Sequence, residues 1–306
     1  MTPVSRFAPA PTGFLHLGHV VNALYVWGLT RAAGGRVLLR IEDHDRQRSR
    51  REYERAILDD LAWLGFLPDV PAAEAWTAAS CDWRQSDRAA HYETALAGLR
   101  AGGLVYACGC SRRELSAQAP QAGEGHELRY PGTCADRQLA EGPGLGLRVR
   151  LAPSLERFDD LAHGWQEQRP SDQSGDLLVK DRDGNWTYQF VAAVDDFLQG
   201  VTLVVRGDDL LASTGRQIQL ARLLGRAQPP RFFHHGLIMK SPTQKLSKSD
   251  GDTGVRDLRA AGLSANDVVG RALQMAGVSG DDRPRSAGEG GALLADAYAR
   301  AVEELR

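Results

Sequence analysis

Over the first hundred positions, short apolar runs alternate with segments whose apolar residues recur every three or four places. Val4 to Ala8 reads as a short buried strand. Gly18 to Arg31 follows with helical spacing, carries Val20, Leu24 and Trp27–Gly28 on its inner face, and meets its stop at Gly34-Gly35. Arg36 to Ile41, RVLLRI, is a second strand that runs into the acidic EDHD of Glu42 to Asp45. A helix from about Ser49 to Leu64 comes next, and Ser49 with Glu52 three places on predicts a capping box. Strand, helix, strand, helix at this spacing predicts a parallel sheet with right-handed crossovers. Ligands of such sheets sit beyond the carboxyl ends of the strands, where the Arg6–His19 loop and Glu42-Asp43 both fall.

Farther on, residues 67–86 are irregular, Asp87 to Ala101 is helical, and Leu104 to Ala107 is a strand leading to Cys108. From there to about Arg182 the pattern breaks into short strands, turn residues and a Gly/Gln/Ala-rich loop at 117–126, as an insertion between two halves of the sheet would. Trp186 to Leu198 resumes a strong apolar pattern, and Val201 to Arg206 is a buried strand ending in Gly207-Asp208-Asp209. Ser213 to Leu224 is a helix and Phe232 to Met239 a strand. The tail from about Val255 is helical with a polar break at 279–291. Four segments are expected: 1–107 and 186–236 as halves of one catalytic domain, 108–185 as the insertion, and 237–306 as a loop with a helical end.

Composition changes this picture in three places. With 306 residues, 42% hydrophobic and 25% charged, the chain reads as globular. No apolar run approaches the roughly 20 residues of a membrane helix, and no charged-then-apolar leader precedes the first strand, so a cytoplasmic chain is expected. A net charge of -2 gives no global field for nucleic acid, although Arg46 to Arg55, RQRSRREYER, is a dense basic run. Lysine is the telling residue: of 37 basic residues only Lys180, Lys240, Lys245 and Lys248 are lysine, and three of them fall within nine positions. A compact ammonium and a planar guanidinium are not interchangeable at a crowded phosphate, so the cluster marks chemistry that asks for lysine.

The opening loop, RFAPAPTGFLHLGH from Arg6 to His19, has two imidazoles where its helix begins. Helix N-termini carry unpaired N–H groups and the positive end of the macrodipole, and His16 and His19 add donors for the same anion. The second loop, KLSKS from Lys245 to Ser249, places two ammonium groups three residues apart on a Ser/Gly-rich segment able to close over a triphosphate. GxxxxGK[ST] is absent, so the HLGH loop with Gly18 is the candidate nucleotide cradle.

HLGH and KLSKS, in this order and separated by an insertion, resemble the HIGH and KMSKS signatures of class I aminoacyl-tRNA synthetases. RFAPAPTGFLHLGH, LRIEDHD and VVRGDDLL resemble the glutamyl branch of that family, over residues 4 to 250. The resemblance implies an α/β fold: a Rossmann-like catalytic domain with a parallel sheet, a zinc-bearing α+β insertion and a short helical C-terminal region. It implies adenylation of L-glutamate by ATP with Mg2+, with His16, His19, Lys245 and Lys248 as catalytic residues. A full glutamyl-tRNA synthetase would continue into a helical anticodon-binding region, whereas this chain ends 57 residues after the lysine loop. That length resembles the short paralogues that attach glutamate to queuosine in the anticodon of tRNA-Asp, and that acceptor is expected here. The other readings are a minimal enzyme charging tRNA-Glu, an adenylate donor to a protein or small molecule, and a non-catalytic RNA-binding relative. No membrane partner is expected, and the chain is taken as a monomer.

Charge also speaks to the amino acid. Arg6 and Arg206 end strands that should converge on the ligand, and Glu42 ends the strand between them. Two guanidinium forks and one carboxylate match the two carboxylates and one ammonium of glutamate. By similarity to the family, Tyr188 adds a side-chain contact and Phe7, Ala8, Pro9 and Ala10 complete the glutamate site. Cys108-x-Cys110 and Cys134 offer three of the four ligands of a zinc ion (Zn2+), and spacing alone admits His126, Tyr130 or Asp136 as the fourth. Chemistry favours His126; the resemblance favours Tyr130 through its Cys-x-Cys, Tyr-x3-Cys pattern. Cys81 reads as a core residue.

Overall fold

The computed structural model describes residues 2–118, 128–237, 239–241, 244–245 and 254–306. Strand β1 (Val4–Phe7) is followed by helix α1 (Leu17–Ala32), which buries eleven of its residues and ends where Gly34 adopts a φ of 72°. Strand β2 (Arg36–Leu39) returns parallel to β1, with Val4 opposite Arg36 and Phe7 opposite Leu39. Helix α2 (Arg51–Leu64) starts two residues later than its expected cap: Arg50 is the N-cap and makes no side-chain capping bond. Ser49 has no capping role because Asp45 organises the preceding turn, accepting the N–H groups of Gln47 and Arg48 on its carboxylate and that of Ser49 on its carbonyl. Helix α3 (Ala89–Ala101) then leads to the insertion.

The insertion opens on β3 (Val105–Cys108) and α4 (Arg112–Gln118), and β4 (Gly146–Val149) pairs antiparallel with β3. A hairpin of β5 (Glu156–Asp160) and β6 (Gly164–Gln168), the short α5 (Pro170–Gln173) and β7 (Leu177–Lys180) complete it. Its residues serve two sheets: β7 joins β3 and β4, whereas β5 and β6 belong to a four-stranded sheet with β8 and β9. Helix α6 (Tyr188–Leu198), strand β8 (Leu203–Gly207), helix α7 (Thr214–Leu223) and strand β9 (Arg231–His235) follow and return the chain to the side of β1. A small antiparallel pair, β10 (Met239–Ser241) and β11 (Gln244–Lys245), precedes the closing helices α8 (Val255–Ala260), α9 (Ala265–Met275), α10 (Ala287–Ala297) and α11 (Ala299–Leu305). Helix α10 therefore begins inside the stretch expected to be a polar break.

The four-stranded sheet is parallel where β8 meets β9 and β9 meets β5, and antiparallel at its β6 edge. Strand β1 lies beside β8, joined by the Thr202 N–H to Val4 O bond at 2.8 Å and by Arg6 Nη1 to Val205 O at 3.3 Å. This corrects the expected order: β1, carrying Arg6, stands between β2 and β8, so Glu42 lies to one side of it. The crossover through α1 returns the chain to the outer flank of β1, and β8 later occupies the inner flank. Such a reversal opens a crevice at the strand ends.

Helix α1 is sandwiched between this sheet and the closing helices. Val20, Leu24 and Leu29 are fully buried in one core with Val268, Val269, Leu273 and Leu294. Gly28 and Gly291 pack backbone to backbone, where a methyl on Gly28 would stand 2.8 Å from Gly291 O. A second core, with Tyr92, Leu96, Val149 and Phe190, joins α3 and α6 to the insertion. Among the described residues no helix is long and apolar enough to cross a membrane.

Candidate active site

His16 is the N-cap of α1, and both imidazoles have work inside the turn. His16 Nδ1 accepts the Gly18 N–H at 3.1 Å, and His19 Nδ1 accepts the His16 N–H at 3.1 Å. The expectation of open backbone donors is corrected here, because these two N–H groups already have imidazole partners. An accepting Nδ1 leaves the proton of each neutral ring on Nε2, so both rings are held in one tautomer with fixed orientation. Gly18 leaves room for the His16 ring: a methyl there would lie 2.9 Å from His16 Cε1 and push the imidazole aside.

The loop and the strand ends enclose a cavity of about 570 Å3. Arg6, Phe7, Ala8, Pro9, Ala10, His16, Gly18, His19, Glu42, Tyr188 and Arg206 all line it, so one space gathers the nucleotide and amino-acid candidates that have described side chains. Its floor is ionic. Arg40, wholly buried, donates to Asp196 at 2.8 Å and to Glu42 at 3.1 Å, while Arg6 Nε donates to both oxygens of Asp196 at 3.0 and 3.2 Å. Asp195 beside it accepts from Arg88 at 2.7 Å, Tyr92 at 2.9 Å and Gln85 at 2.8 Å. Burial opposes ionisation of Asp196, yet Arg6 and Arg40 hold its pKa below the ordinary value. Arg6, Arg40 and Arg88 are thus balanced by Asp195, Asp196 and Glu42.

Arg206 is different. Only 5% exposed, it donates to His234 Nε2 at 3.0 Å, Gln217 Oε1 at 2.7 Å and Thr214 Oγ1 at 2.8 Å, and it has no carboxylate partner among the described residues. Burial lowers its pKa from a very high ordinary value, but a guanidinium stays charged throughout the range in which proteins fold. The cavity therefore contains a desolvated cation whose bonds are all to neutral acceptors, which is what an anionic substrate group would pair with. Tyr188 is partly buried against it, and withdrawal from water raises the phenol pKa.

Lys245 closes the β10–β11 pair opposite Met239, while Lys248 lies outside the described residues, as does most of the KLSKS loop. What is described is the return of the chain: Gly254 bridges to His16, and the Val255 N–H donates to Leu15 O at 2.9 Å. The end of the lysine loop is thereby tied to the histidine turn.

In the insertion, Cys108, Cys110 and Cys134 have their sulfur atoms within 4.8 Å of one another and none is in a disulfide. The Tyr130 hydroxyl lies 3.5 Å from Cys108 Sγ and accepts the Cys134 N–H at 2.8 Å, so it adjoins the cluster. Asp136 is turned to solvent and faces Arg150 at 3.4 Å, and His126 lies outside the described residues. Arg148 sits 3.6 Å above the Tyr130 ring and donates to Cys108 Sγ at 3.4 Å, which brings positive charge to a group of potential thiolates. Three close thiols form a donor set that suits zinc.

Sequence reading misses the residues that hold the site rather than face it: Arg40, Asp160, Asp195, Asp196 and His234. A signal existed for two of them. FVAAVDDFL places adjacent carboxylates in a helix that is otherwise apolar, and a buried acid requires a buried cation. Asn22 and His235, 3.0 Å apart, also line the cavity unforeseen.

A family profile for tRNA synthetases class I (E and Q), catalytic domain, matches residues 4–279. The glutamyl-Q tRNA(Asp) synthetase of Rhodobacter capsulatus is 41% identical over 282 residues, covering 87% of this chain and 98% of its own. That of Nitratidesulfovibrio vulgaris is 38% identical over 295 residues, 92% of this chain and 88% of its own. Glutamate–tRNA ligase 1 of Halorhodospira halophila is 41% identical over 271 residues, 86% of this chain but 56% of its own. Among solved structures, the glutamate-tRNA synthetase of Elizabethkingia anophelis has the same fold, with a TM-score of 0.76 at 24% identity, over 95% of this chain and 65% of that one. The parallel sheet, the histidine turn at its crevice and these kinships agree: the chain belongs to the class I tRNA synthetases of the E and Q type and groups with the glutamyl-Q tRNA(Asp) synthetases.

Proposed function

We propose that this chain activates L-glutamate with ATP and transfers it to queuosine in the anticodon of tRNA-Asp. The observation that carries the amino-acid half is Arg206, a buried cation without a carboxylate partner among the described residues, in a cavity that already contains the histidine turn. In this reading Arg206 and Arg6 bind the carboxylates of glutamate, Glu42 its ammonium, and Tyr188 with Phe7 to Ala10 the remaining surface. The RNA half is supported by kinship. The glutamyl-Q tRNA(Asp) synthetases of Rhodobacter capsulatus and Nitratidesulfovibrio vulgaris are 41% and 38% identical to this chain over 87% and 92% of its length.

The substrate carboxylate oxygen attacks the α-phosphorus of ATP, the bond to the β-phosphate oxygen breaks, and pyrophosphate leaves. An acceptor hydroxyl of the nucleoside then attacks the acyl carbon and AMP departs. The first nucleophile is already an anion, so the residues act by alignment and charge neutralisation. His16 and His19, with Gly18, serve the α-phosphate and ribose, Lys245 and Lys248 the departing pyrophosphate, and Mg2+ accompanies the phosphates. Cys108, Cys110, Cys134 and Tyr130 hold a structural zinc, and the protein acts as a cytoplasmic monomer.

Labelled glutamate with tRNA from cells that make or lack queuosine tests this. Label appears on tRNA-Asp only when queuosine is present. Label on the 3′ end of tRNA-Glu would replace this reading with that of a minimal glutamyl-tRNA synthetase. If ATP–pyrophosphate exchange does not depend on glutamate, activation itself is rejected.

A further inference from the structure

Arg206 owes its orientation to a pair of buried residues from two other strands. Asp160 on β5 and His234 on β9 are each 1% exposed, and Asp160 Oδ2 lies 2.5 Å from His234 Nδ1. The other carboxylate oxygen, Oδ1, accepts the N–H groups of Ala162 at 3.0 Å, His163 at 3.1 Å and His234 at 3.4 Å. A carboxylate with this many donors is ionised and can only accept, so Nδ1 of His234 carries the imidazole proton. Its Nε2 is then a lone pair, and the Arg206 Nε–H donates to it across 3.0 Å. Thr214 Oγ1 stands 3.2 Å from the same nitrogen and accepts from Arg206 Nη2.

We propose that Asp160 and His234 are positioning residues for Arg206: they satisfy its Nε–H with a neutral acceptor, which fixes the guanidinium without cancelling its charge. The inference rests on the reading of Arg206 as a carboxylate receptor. The contrast with Arg6 shows what the device achieves. Arg6 Nε meets the carboxylate of Asp196, whereas Arg206 Nε meets an imidazole nitrogen whose companion carboxylate is one ring farther away. A carboxylate in place of His234 would compete directly with the anionic end of the amino acid. The imidazole supplies the same acceptor without the charge, so the pair sets specificity for an acidic substrate.

The tautomer makes the idea testable. In Asp160→Asn the three backbone N–H groups still demand oxygen at the Oδ1 position, so the amide nitrogen faces His234 Nδ1 and donates. The imidazole proton then moves to Nε2 and confronts the Arg206 Nε–H, donor against donor. Expected for the full-length wild type is a His234 signal with Nδ1 protonated and Nε2 bare in long-range 15N–1H correlation spectra, switching to the other tautomer in Asp160→Asn. In ATP–pyrophosphate exchange, Asp160→Asn raises KM for glutamate roughly ten-fold or more, the usual effect of a buried donor left without its acceptor, while KM for ATP stays put. His234→Gln, which retains an acceptor oxygen, is milder than His234→Ala. A protonated Nε2 in the wild type would overturn the proposal. So would a folded Asp160→Asn with unchanged KM for glutamate, or equal effects of Gln and Ala at 234. Wild-type exchange that ignores glutamate would instead remove the reading of Arg206 as its receptor, and the tautomer spectra would still decide the positioning claim.

Discussion

Arg6 Nε and the carboxylate of Asp196 face each other edge-on, with both oxygens within 3.2 Å, across the seam between β1 and α6. Asp196 also accepts from the wholly buried Arg40, which Glu42 pairs with as well, so this carboxylate links two guanidinium groups in one charge-balanced cluster. Asp196→Asn should therefore leave Arg6 without its carboxylate and the buried cluster with one uncompensated positive charge, and cost about 3–5 kcal/mol in urea unfolding at pH 7. A loss below about 1 kcal/mol would mean that water reaches Arg40.

Asp60 on α2 is 4% exposed, and its Oδ2 has no hydrogen-bond partner. Burial, reinforced by Asp59, raises its pKa from 3.8 to about 6 against the opposing pull of Arg259 and Arg256. The folded state thus holds this proton more tightly than the unfolded state. Its contribution to stability is complete below pH 3.8 and is lost as pH rises through about 6. Asp60→Asn should raise stability by about 3 kcal/mol at pH 7.5 and leave it unchanged at pH 3.5. Calorimetry at the two pH values checks this, and destabilisation at pH 7.5 would show that the charged form is paired.

The thiol cluster makes a prediction about metal content. Protein prepared with zinc should carry about one equivalent, and Cys110→Ser or Cys134→Ser should lose most of it. Tyr130→Phe should weaken retention against a chelator. Unchanged retention would remove Tyr130 from the ligand set without affecting the sulfurs. Mass spectrometry of metal content reads all three.

Gly28 faces Gly291 with no room for a methyl group, since the obstacle at 2.8 Å is a backbone carbonyl. Gly28→Ala should cost about 1–3 kcal/mol by forcing α10 away from α1. Thermal unfolding measures the loss, and a neutral result would mean that the two helices slide.

The parts of the fold read directly from sequence are those set by local pattern. β1, α1 and β2 follow from apolar spacing and a glycine stop, and the histidine turn from its place between them. Tertiary pairing defeats such reading. Asp160 and His234 are separated by 74 positions and meet only because β5 joins the four-stranded sheet beside β9. Ser49 was a reasonable cap by spacing, but Asp45 had already organised the turn in front of it. The strand order failed for a related reason: strands that are adjacent in sequence did not reveal that β8 would enter beside β1.

The contact between Gly28 and Gly291 also has a temporal meaning. Residues near position 20 carry the histidine turn, yet the surface that clamps their helix is encoded about 250 positions later. A ribosome releases the chain from its N-terminus, at about 5–20 residues per second, so α1 waits many seconds for its partner. Until α9 and α10 emerge, the apolar flank with Val20 and Leu24 has nothing from that side to cover it. The histidine turn is thus among the first segments translated, and the helix it caps is among the last to be fully packed.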